Sequence, residues 1–197
     1  MFMSTSAKVF DAAYYHRYYT NPKTCAASRT EQRRLADFIS SYLKYLQLPV
    51  GEILDLGCGL GILLHRLQQR FPRARCVGVE LSPYLVEHYG WQAGSVVDYE
   101  DESFDLVTCT DVLGYLSSEE ASLAIKNLAK LCHGALYLSV ITTEDLDICD
   151  PEHSDMDQQV RPYAWYQKQL APYFESIGGG LLLRRPVKTP IWRMERA

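Results

Sequence analysis

The segment EILDLGCGLG, residues 52–61, begins as a short apolar run and ends with glycine at three alternate positions. A short apolar run bounded by turn residues is typical of a strand buried in a parallel sheet. Glycine adopts left-handed backbone without strain and lets a ligand approach the main chain, where N–H groups at a helix start receive polar atoms. The segment therefore predicts a ligand-binding turn between a buried strand and a helix, although a tight turn alone would need the same glycines.

Strand and helix signals alternate along the rest of the chain. Two helix starts carry a capping box, in which Ser28 pairs with Glu31 and Ser117 with Glu120. Apolar strands that alternate with helices predict an α/β fold whose mostly parallel sheet is covered on both faces. Helices are expected over residues 7–20, 28–46, 62–71, 83–88, 117–132 and 163–174. Strands are expected over residues 52–56, 76–81, 91–97, 104–113 and 134–142, before a closing hairpin of 178–185 with 190–196.

Composition limits the partners of such a fold. The 197 residues suit one domain, and their net charge of −4 gives a nucleic-acid partner no electrostatic support. No apolar run approaches the ~20 residues of a membrane span and no signal peptide is present, so we expect a cytoplasmic protein without a membrane partner. Six cysteines occur without a CxxC pair. We expect them to be buried hydrophobes in a reducing compartment, not a metal site or a disulfide framework.

A second motif, VGVELS, ends a strand with Glu80, 19 residues after Gly61. A carboxylate at this place can accept hydrogen bonds from both hydroxyls of a ribose. The dinucleotide fingerprint G-x-G-x-x-G is incomplete, because Ile62 stands where its third glycine would fall, and no G-x-x-x-x-G-K occurs. The two motifs together predict an adenosine-type ligand that is bound without a pyrophosphate.

DLGCGLG followed by GVELS resembles the first two motifs of the class I S-adenosylmethionine-dependent methyltransferases. SFDLVTCTDVLGYL and CHGALYLSV resemble the fourth and fifth strands of that family, so the resemblance covers roughly residues 50–142. It implies a Rossmann-like three-layer sandwich with a seven-stranded sheet of order 3-2-1-4-5-7-6, in which strand seven is antiparallel. It also implies S-adenosylmethionine as the cofactor and S-adenosylhomocysteine as the product.

The resemblance assigns cofactor contacts position by position. The glycine turn would lie under the methionine part, Glu80 would bind the ribose and Leu81 would pack on the adenine. The family often has Gly-Asp after strand three, but Gly94-Ser95 stands here, so that Ser95 with the Val96 backbone, or alternatively Asp98, would contact the adenine amine. The remaining cofactor residues implied are Asp55, Gly57, Cys58, Gly59 and Gly61 in the turn, and Cys109 and Thr110 after strand four.

AYYHRYY, residues 13–19, places Tyr14 and Tyr18, and likewise Tyr15 and Tyr19, one helical turn apart. The resemblance places this region in an N-terminal helical lid (residues 1–48) over a Rossmann-like core (residues 49–197). Tyrosine rings near a sulfonium would give a cation–π attraction of roughly 0.5–2 kcal/mol, or would simply pack the lid on the core. Arg17 is a candidate for the cofactor carboxylate. The substrate-side candidates are Tyr15, Tyr18, His153, and Tyr115, which stands where many relatives have histidine.

EDLDICDPEHSDMD, residues 144–157, carries seven acids and no base. It is either a solvated loop or an attraction for a cationic or amine-bearing substrate. The spacing of its aspartates matches no calcium loop. His16 and His153 are weak candidates for a general base, because a lone histidine is more often structural.

The chain is therefore expected to be an enzyme that transfers a methyl group to a nitrogen or oxygen of a small molecule. Two alternatives remain open. One is different chemistry on the same cofactor, such as aminopropyl transfer, and the other is non-catalytic cofactor binding.

Overall fold

A computed structural model of the chain describes residues 10–21, 23–26 and 28–191. These residues form one seven-stranded sheet with helices packed on both faces. The helices are α1 (Ala12–Tyr15), α2 (Arg29–Tyr45), α3 (Ile62–Arg70), α4 (Pro83–Tyr89), α5 (Ser118–Leu131) and α6 (Tyr163–Leu170). The strands are β1 (Glu52–Leu56), β2 (Arg75–Glu80), β3 (Gln92–Ala93), β4 (Phe104–Thr110), β5 (Cys132–Ser139), β6 (Phe174–Gly178) and β7 (Leu181–Arg184). Within the described ranges, no helix is both long enough and apolar enough to cross a membrane.

The strand order is β3-β2-β1-β4-β5-β7-β6, which confirms the predicted topology. Neighbouring strands are parallel except β7, which is antiparallel to both β5 and β6. Asp55 in β1 is aligned with Gly78 of β2 and Thr108 of β4, so the three central strands end at one edge of the sheet. Ligands of open α/β sheets bind at this edge, where the strand order reverses.

Alternate residues of β1 enter two separate hydrophobic cores. Leu54 faces the core that α5 and α6 cover, whereas Ile53 faces the core that α2 and α3 cover. Both side chains have no exposed surface, and burial of such a side chain stabilises the fold by roughly 1.5–3 kcal/mol. Because both faces are buried, the strand is apolar throughout.

The helix starts are fixed by local side chains. In the first capping box, the Glu31 amide donates to Ser28 Oγ at 3.2 Å and the Ser28 amide donates to Glu31 Oε2 at 2.6 Å. The Ser117–Glu120 box has the same pair of bonds, at 3.2 and 2.8 Å. Both predicted boxes are therefore confirmed. Ser82 occupies the N-cap position of α4, but its hydroxyl donates to the Phe10 carbonyl at 2.6 Å instead of capping the helix, and so ties the N-terminal segment to the sheet edge.

The closing hairpin differs from the sequence prediction. Its strands are β6 and β7, joined through Gly179 and Gly180, whereas residues 178–185 with 190–196 were expected to pair. The glycines form the turn because their φ angles are +59° and +81°, a region that other residues avoid. Phe174, predicted to lie at the end of a helix, is instead the first residue of β6 and is buried. Residues 192–196 lie outside the described residues.

Several other elements are also shorter than predicted, including α6, which ends at Leu170. The helix expected over residues 7–20 is α1 followed by a π-helical turn, His16–Thr20, and residues 7–9 lie outside the described residues. The third strand is reduced to Gln92–Ala93. β4 ends at Thr110, because Asp111 has a φ of +56° that breaks the strand, and a 3-10 turn, Leu113–Tyr115, follows.

The cysteines are all free thiols. Cys58, Cys109 and Cys132 are buried as predicted, but Cys25, Cys76 and Cys149 are partly exposed. The expectation of small buried hydrophobes therefore holds for half of them.

Candidate functional site

The three glycines of the turn after β1 have left-handed backbone, with φ angles of +75°, +54° and +69° at Gly57, Gly59 and Gly61. A Cβ on Gly57 would lie 2.3 Å from Val112 Cγ2, and a Cβ on Gly61 would lie 2.3 Å from Trp91 Cζ2. Backbone conformation therefore favours glycine at all three positions, and packing favours it at Gly57 and Gly61, independently of any ligand. Gly61 lies behind the turn and does not line the cavities described below.

Glu80, at the end of β2, is held against this turn by three backbone amides. Its Oε2 accepts from the Gly59 amide at 2.9 Å, and its Oε1 accepts from the Leu81 and Ser82 amides at 2.8 and 3.0 Å. A carboxylate has about four acceptor positions, so about one remains for a ligand. The expectation that Glu80 accepts from two ribose hydroxyls therefore requires that a ligand share or displace a backbone bond.

Asp55, one strand away, is 2% exposed and lies beneath the same turn. Its Oδ1 accepts from Thr108 Oγ1 at 2.7 Å. Burial raises the pKa of Asp55 to about 7, the Thr108 bond opposes this shift, and the negative charge of Glu80 adds to it. A bound cation would therefore favour the ionised form of this carboxyl.

Two adjoining cavities open at this edge of the sheet. The larger has an empty volume of about 660 Å³ and the smaller about 380 Å³, including space open to solvent. Tyr19, Gly57, Gly59 and Thr110 line both, so that the two cavities form one crevice around the glycine turn.

Most of the predicted cofactor residues come together in this crevice. Asp55, Gly57, Cys58, Gly59 and Thr110 line the smaller cavity. Gly57, Gly59, Glu80, Leu81, Ser95, Val96 and Thr110, together with the substrate candidates Tyr15 and Tyr115, line the larger one. Their contact with a cofactor stays a prediction. Between the two adenine candidates, the geometry favours Ser95, because Asp98 is exposed and does not line the crevice.

Other candidates are not brought to the crevice. The guanidinium of Arg17 lies 5.1 Å from the ring centroid of Tyr18, and neither residue lines a cavity. His16 Nδ1 lies 3.0 Å from Thr20 Oγ1, and His153 Nδ1 lies 2.8 Å from Asp150 Oδ2. Cys109 is buried in the core and does not line the crevice either. The geometry gives no support to His16 or His153 as a general base.

Three acids of the segment 144–157 accept hydrogen bonds from nearby backbone amides. Glu144 accepts from the Tyr163 amide at 2.9 Å, Asp145 from the Thr142 amide at 2.8 Å, and Asp150 from the Glu152 amide at 2.9 Å. Such bonds make short acidic side chains favourable in turns. Only Asp155 is buried, and it is the one that reaches the crevice.

Asp155 reaches the crevice through a chain of tyrosines. The Tyr115 hydroxyl donates to Asp155 Oδ2 at 2.8 Å, and the Tyr14 hydroxyl lies 2.9 Å from the Tyr115 oxygen. Burial raises the pKa of both phenols, which stay protonated at neutral pH. Tyr14 and Asp155 were not identified as site residues from the sequence, because nothing local indicates a contact across 40 or 101 residues.

Tyr19 and Asp111 also lie in the crevice without having been identified from the sequence. Tyr19 stands at the junction of the two cavities. Burial raises the pKa of Tyr19, and the nearby carboxylates, Asp111 first and then Glu80, raise it further. The spacing of Tyr19 from Tyr15 was visible in the sequence and is the one signal that could have identified it.

Arg161 holds the wall of the crevice from outside. It is 4% exposed, and its guanidinium donates to the Leu113 carbonyl at 3.1 Å, to the Leu116 carbonyl, and to Tyr166 Oη at 3.0 Å. Leu113 and Leu116 flank Tyr115, so this buried cation fixes the loop that carries the tyrosine.

The strand order and the glycine turn define the Rossmann-like class I methyltransferase fold that the sequence motifs predicted. A structure of magnesium protoporphyrin IX methyltransferase from Synechocystis has this fold, with a TM-score of 0.61 and 20% identity over 87% of this chain and 90% of that one. A family model described as a methyltransferase domain matches residues 27–177. The chain belongs to that methyltransferase domain family.

Two curated relatives from Hahella chejuensis are similar over part of their length. A malonyl-[acyl-carrier protein] O-methyltransferase is 33% identical over 106 residues, 48% of this chain and 38% of the relative. A ubiquinone biosynthesis O-methyltransferase is 34% identical over 91 residues, 39% of this chain and 37% of the relative. The matched region spans less than half the length of each relative.

Proposed function

We propose that this chain binds S-adenosylmethionine in the crevice and transfers its methyl group to a nitrogen or oxygen of a small molecule. The observation that carries the proposal is Glu80, which three backbone amides fix beside the glycine turn and at the rim of the larger cavity. The methionine part would lie by Asp55 in the smaller cavity. The adenine would lie between Leu81 and Ser95. Membership of the methyltransferase family and the cofactor bound in the Synechocystis structure support this placement.

Residues 10–20 would act as a lid over the cofactor within a single domain. Phe10, Tyr14, Tyr15 and Tyr19 contribute rings to the crevice, and the Ser82 bond to the Phe10 carbonyl fastens the segment at the sheet edge. Tyrosine faces near a sulfonium contribute roughly 0.5–2 kcal/mol of cation–π attraction. The same rings exclude water from the reacting atoms.

The chemistry asked of the site is modest. A lone pair of the acceptor forms a bond to the methyl carbon, while the carbon–sulfur bond breaks and its electron pair stays on sulfur. Alignment of the acceptor with the methyl group supplies much of the acceleration, and a base is needed only when the acceptor must lose a proton early.

Calorimetric titration with S-adenosylhomocysteine tests the proposal. The wild-type chain should bind it and should not bind NAD. Glu80→Ala should weaken binding at least about tenfold, because a hydrogen bond to a charged acceptor contributes roughly 1.5–3 kcal/mol. Glu87→Ala, an exposed acid of α4, is the control and should bind like the wild type. Binding of NAD in place of S-adenosylhomocysteine, or equal binding by the Glu80 variant, would contradict the proposal.

A further inference from the structure

The acceptor side of the larger cavity has an unusual wall. Besides Thr110, the residues that line it include Asp111 and four tyrosines, Tyr14, Tyr15, Tyr19 and Tyr115. Among the described residues that line the two cavities there are three carboxylates and no lysine, arginine or histidine. A negatively charged acceptor would therefore meet carboxylates without a compensating cation.

Two of the carboxylates near the crevice are committed elsewhere in the proposed complex. Asp55 lies beneath the glycine turn, and Glu80 is bonded to three backbone amides at the ribose position. Asp111 and Asp155 remain for the acceptor side. Asp111 receives a long bond from Ser139 Oγ at 3.4 Å, and Asp155 reaches the cavity through Tyr115.

Aromatic rings and carboxylates together are the chemistry that recognises organic cations. Ring faces attract an ammonium through their quadrupole, and a carboxylate supplies the opposite charge. Phe10 packs edge-on against Tyr14 and Tyr115, with ring centroids 5.0 and 5.2 Å apart, so the aromatic wall is continuous on this side.

We infer that the acceptor is an amine that enters the cavity as an ammonium ion between Asp111 and the rings of Tyr14, Tyr19 and Tyr115. This inference rests on the proposed function and narrows its acceptor from nitrogen or oxygen to nitrogen. The acidic segment 144–157 contributes through Asp155, while Glu144, Asp145 and Asp150 accept from backbone amides.

The bound ammonium must lose a proton before its nitrogen can attack. It gives that proton to the Tyr115 oxygen, and the Tyr115 hydroxyl passes its own proton to Asp155. The nitrogen lone pair then forms the bond to the methyl carbon as the carbon–sulfur bond breaks. The products are the N-methylated amine and S-adenosylhomocysteine.

The test compares two probes of the same ring and similar chain length, phenethylamine and 3-phenylpropanoate. Each is titrated at pH 7 into protein saturated with S-adenosylhomocysteine, whose own binding is measured first. Phenethylamine should bind at least about tenfold more tightly than 3-phenylpropanoate. Asp111→Asn should weaken the binding of phenethylamine at least about fivefold. The variant keeps the fold because asparagine tolerates the left-handed backbone at this position. Asp147→Asn, an exposed acid of the same charge outside the cavity, is the matched control and should bind both probes like the wild type.

Binding of 3-phenylpropanoate that equals or exceeds that of phenethylamine would overturn the inference. So would the absence of saturable phenethylamine binding, or an Asp111→Asn variant that binds phenethylamine as tightly as the wild type. Failure of S-adenosylhomocysteine to bind in the first step would instead overturn the proposed function.

Discussion

Asp55 should make the ligand-free fold less stable as the pH rises from about 4 to 7. Burial raises the pKa of Asp55 from its ordinary 3.8 to about 7, so the folded chain holds a proton that the unfolded chain releases. Its stabilising contribution is complete below pH 3.8 and is lost as the pH rises to about 7. Asp55→Asn removes this pH dependence and keeps an oxygen that can accept from Thr108.

The size of this effect on the free energy of unfolding is worked out for the pH range that an unfolding experiment can reach. Between pH 5 and pH 7 the unfolded carboxyl is ionised and the folded one is largely protonated, and each pH unit corresponds to about 1.36 kcal/mol. The free energy of unfolding of Asp55→Asn, relative to wild type, should therefore rise by about 2–3 kcal/mol between pH 5 and pH 8.

Urea titrations at pH 5 and pH 8 measure this difference through the linear dependence of the unfolding free energy on denaturant. Asp98→Asn, which removes an exposed carboxyl, is the control and should follow the wild type at both pH values. If the free energies of unfolding of Asp55→Asn and wild type differ by the same amount at both pH values, burial does not keep this carboxyl protonated.

Three further changes test other parts of the site. Gly57→Ala should weaken the binding of S-adenosylhomocysteine at least about tenfold, because the new Cβ would lie 2.3 Å from Val112 Cγ2. Gly90 has a similar positive φ but open space around it, so Gly90→Ala should lose stability and still bind the ligand. Arg161→Met should lower Tm by about 4–24 °C in a differential scan, since it removes the donor to the Leu113 and Leu116 carbonyls at a cost of about 1–3 kcal/mol each, and an unchanged Tm would exclude its role in holding the loop. Backbone amides of residues 10–20 should exchange more slowly with S-adenosylhomocysteine bound, and deletion of residues 1–20 should leave a folded core that binds it weakly; equal exchange in both states together with unchanged binding would reduce the lid to a packing segment.

Local chemistry explains what the sequence predicts well. The capping boxes depend on residues three positions apart, and the glycine turn depends on φ angles that glycine alone adopts easily. Both can therefore be recognised from the sequence before the fold is known. Glu80 and the turn were recognisable as a pair because DLGCGLG and GVELS resemble two motifs of one family, and the structure places the strands that carry them side by side.

The site contacts that the sequence did not predict join segments that are distant along the chain. Asp155 meets Tyr115 across 40 residues, and Arg161 meets Leu113 across 48, and neither pair has a sequence pattern. Residue type alone makes His16 and His153 candidates for a general base, whereas the structure pairs them with side chains outside the crevice.

The most direct test of the account is a crystal structure of the chain with S-adenosylhomocysteine. We predict that the ribose hydroxyls lie within hydrogen-bonding distance of the Glu80 carboxylate, with the adenine beside Leu81 and Ser95 and the sulfur facing the rings of residues 10–20. A ligand bound away from Glu80, or a ribose turned toward the side of Asp55, would contradict it.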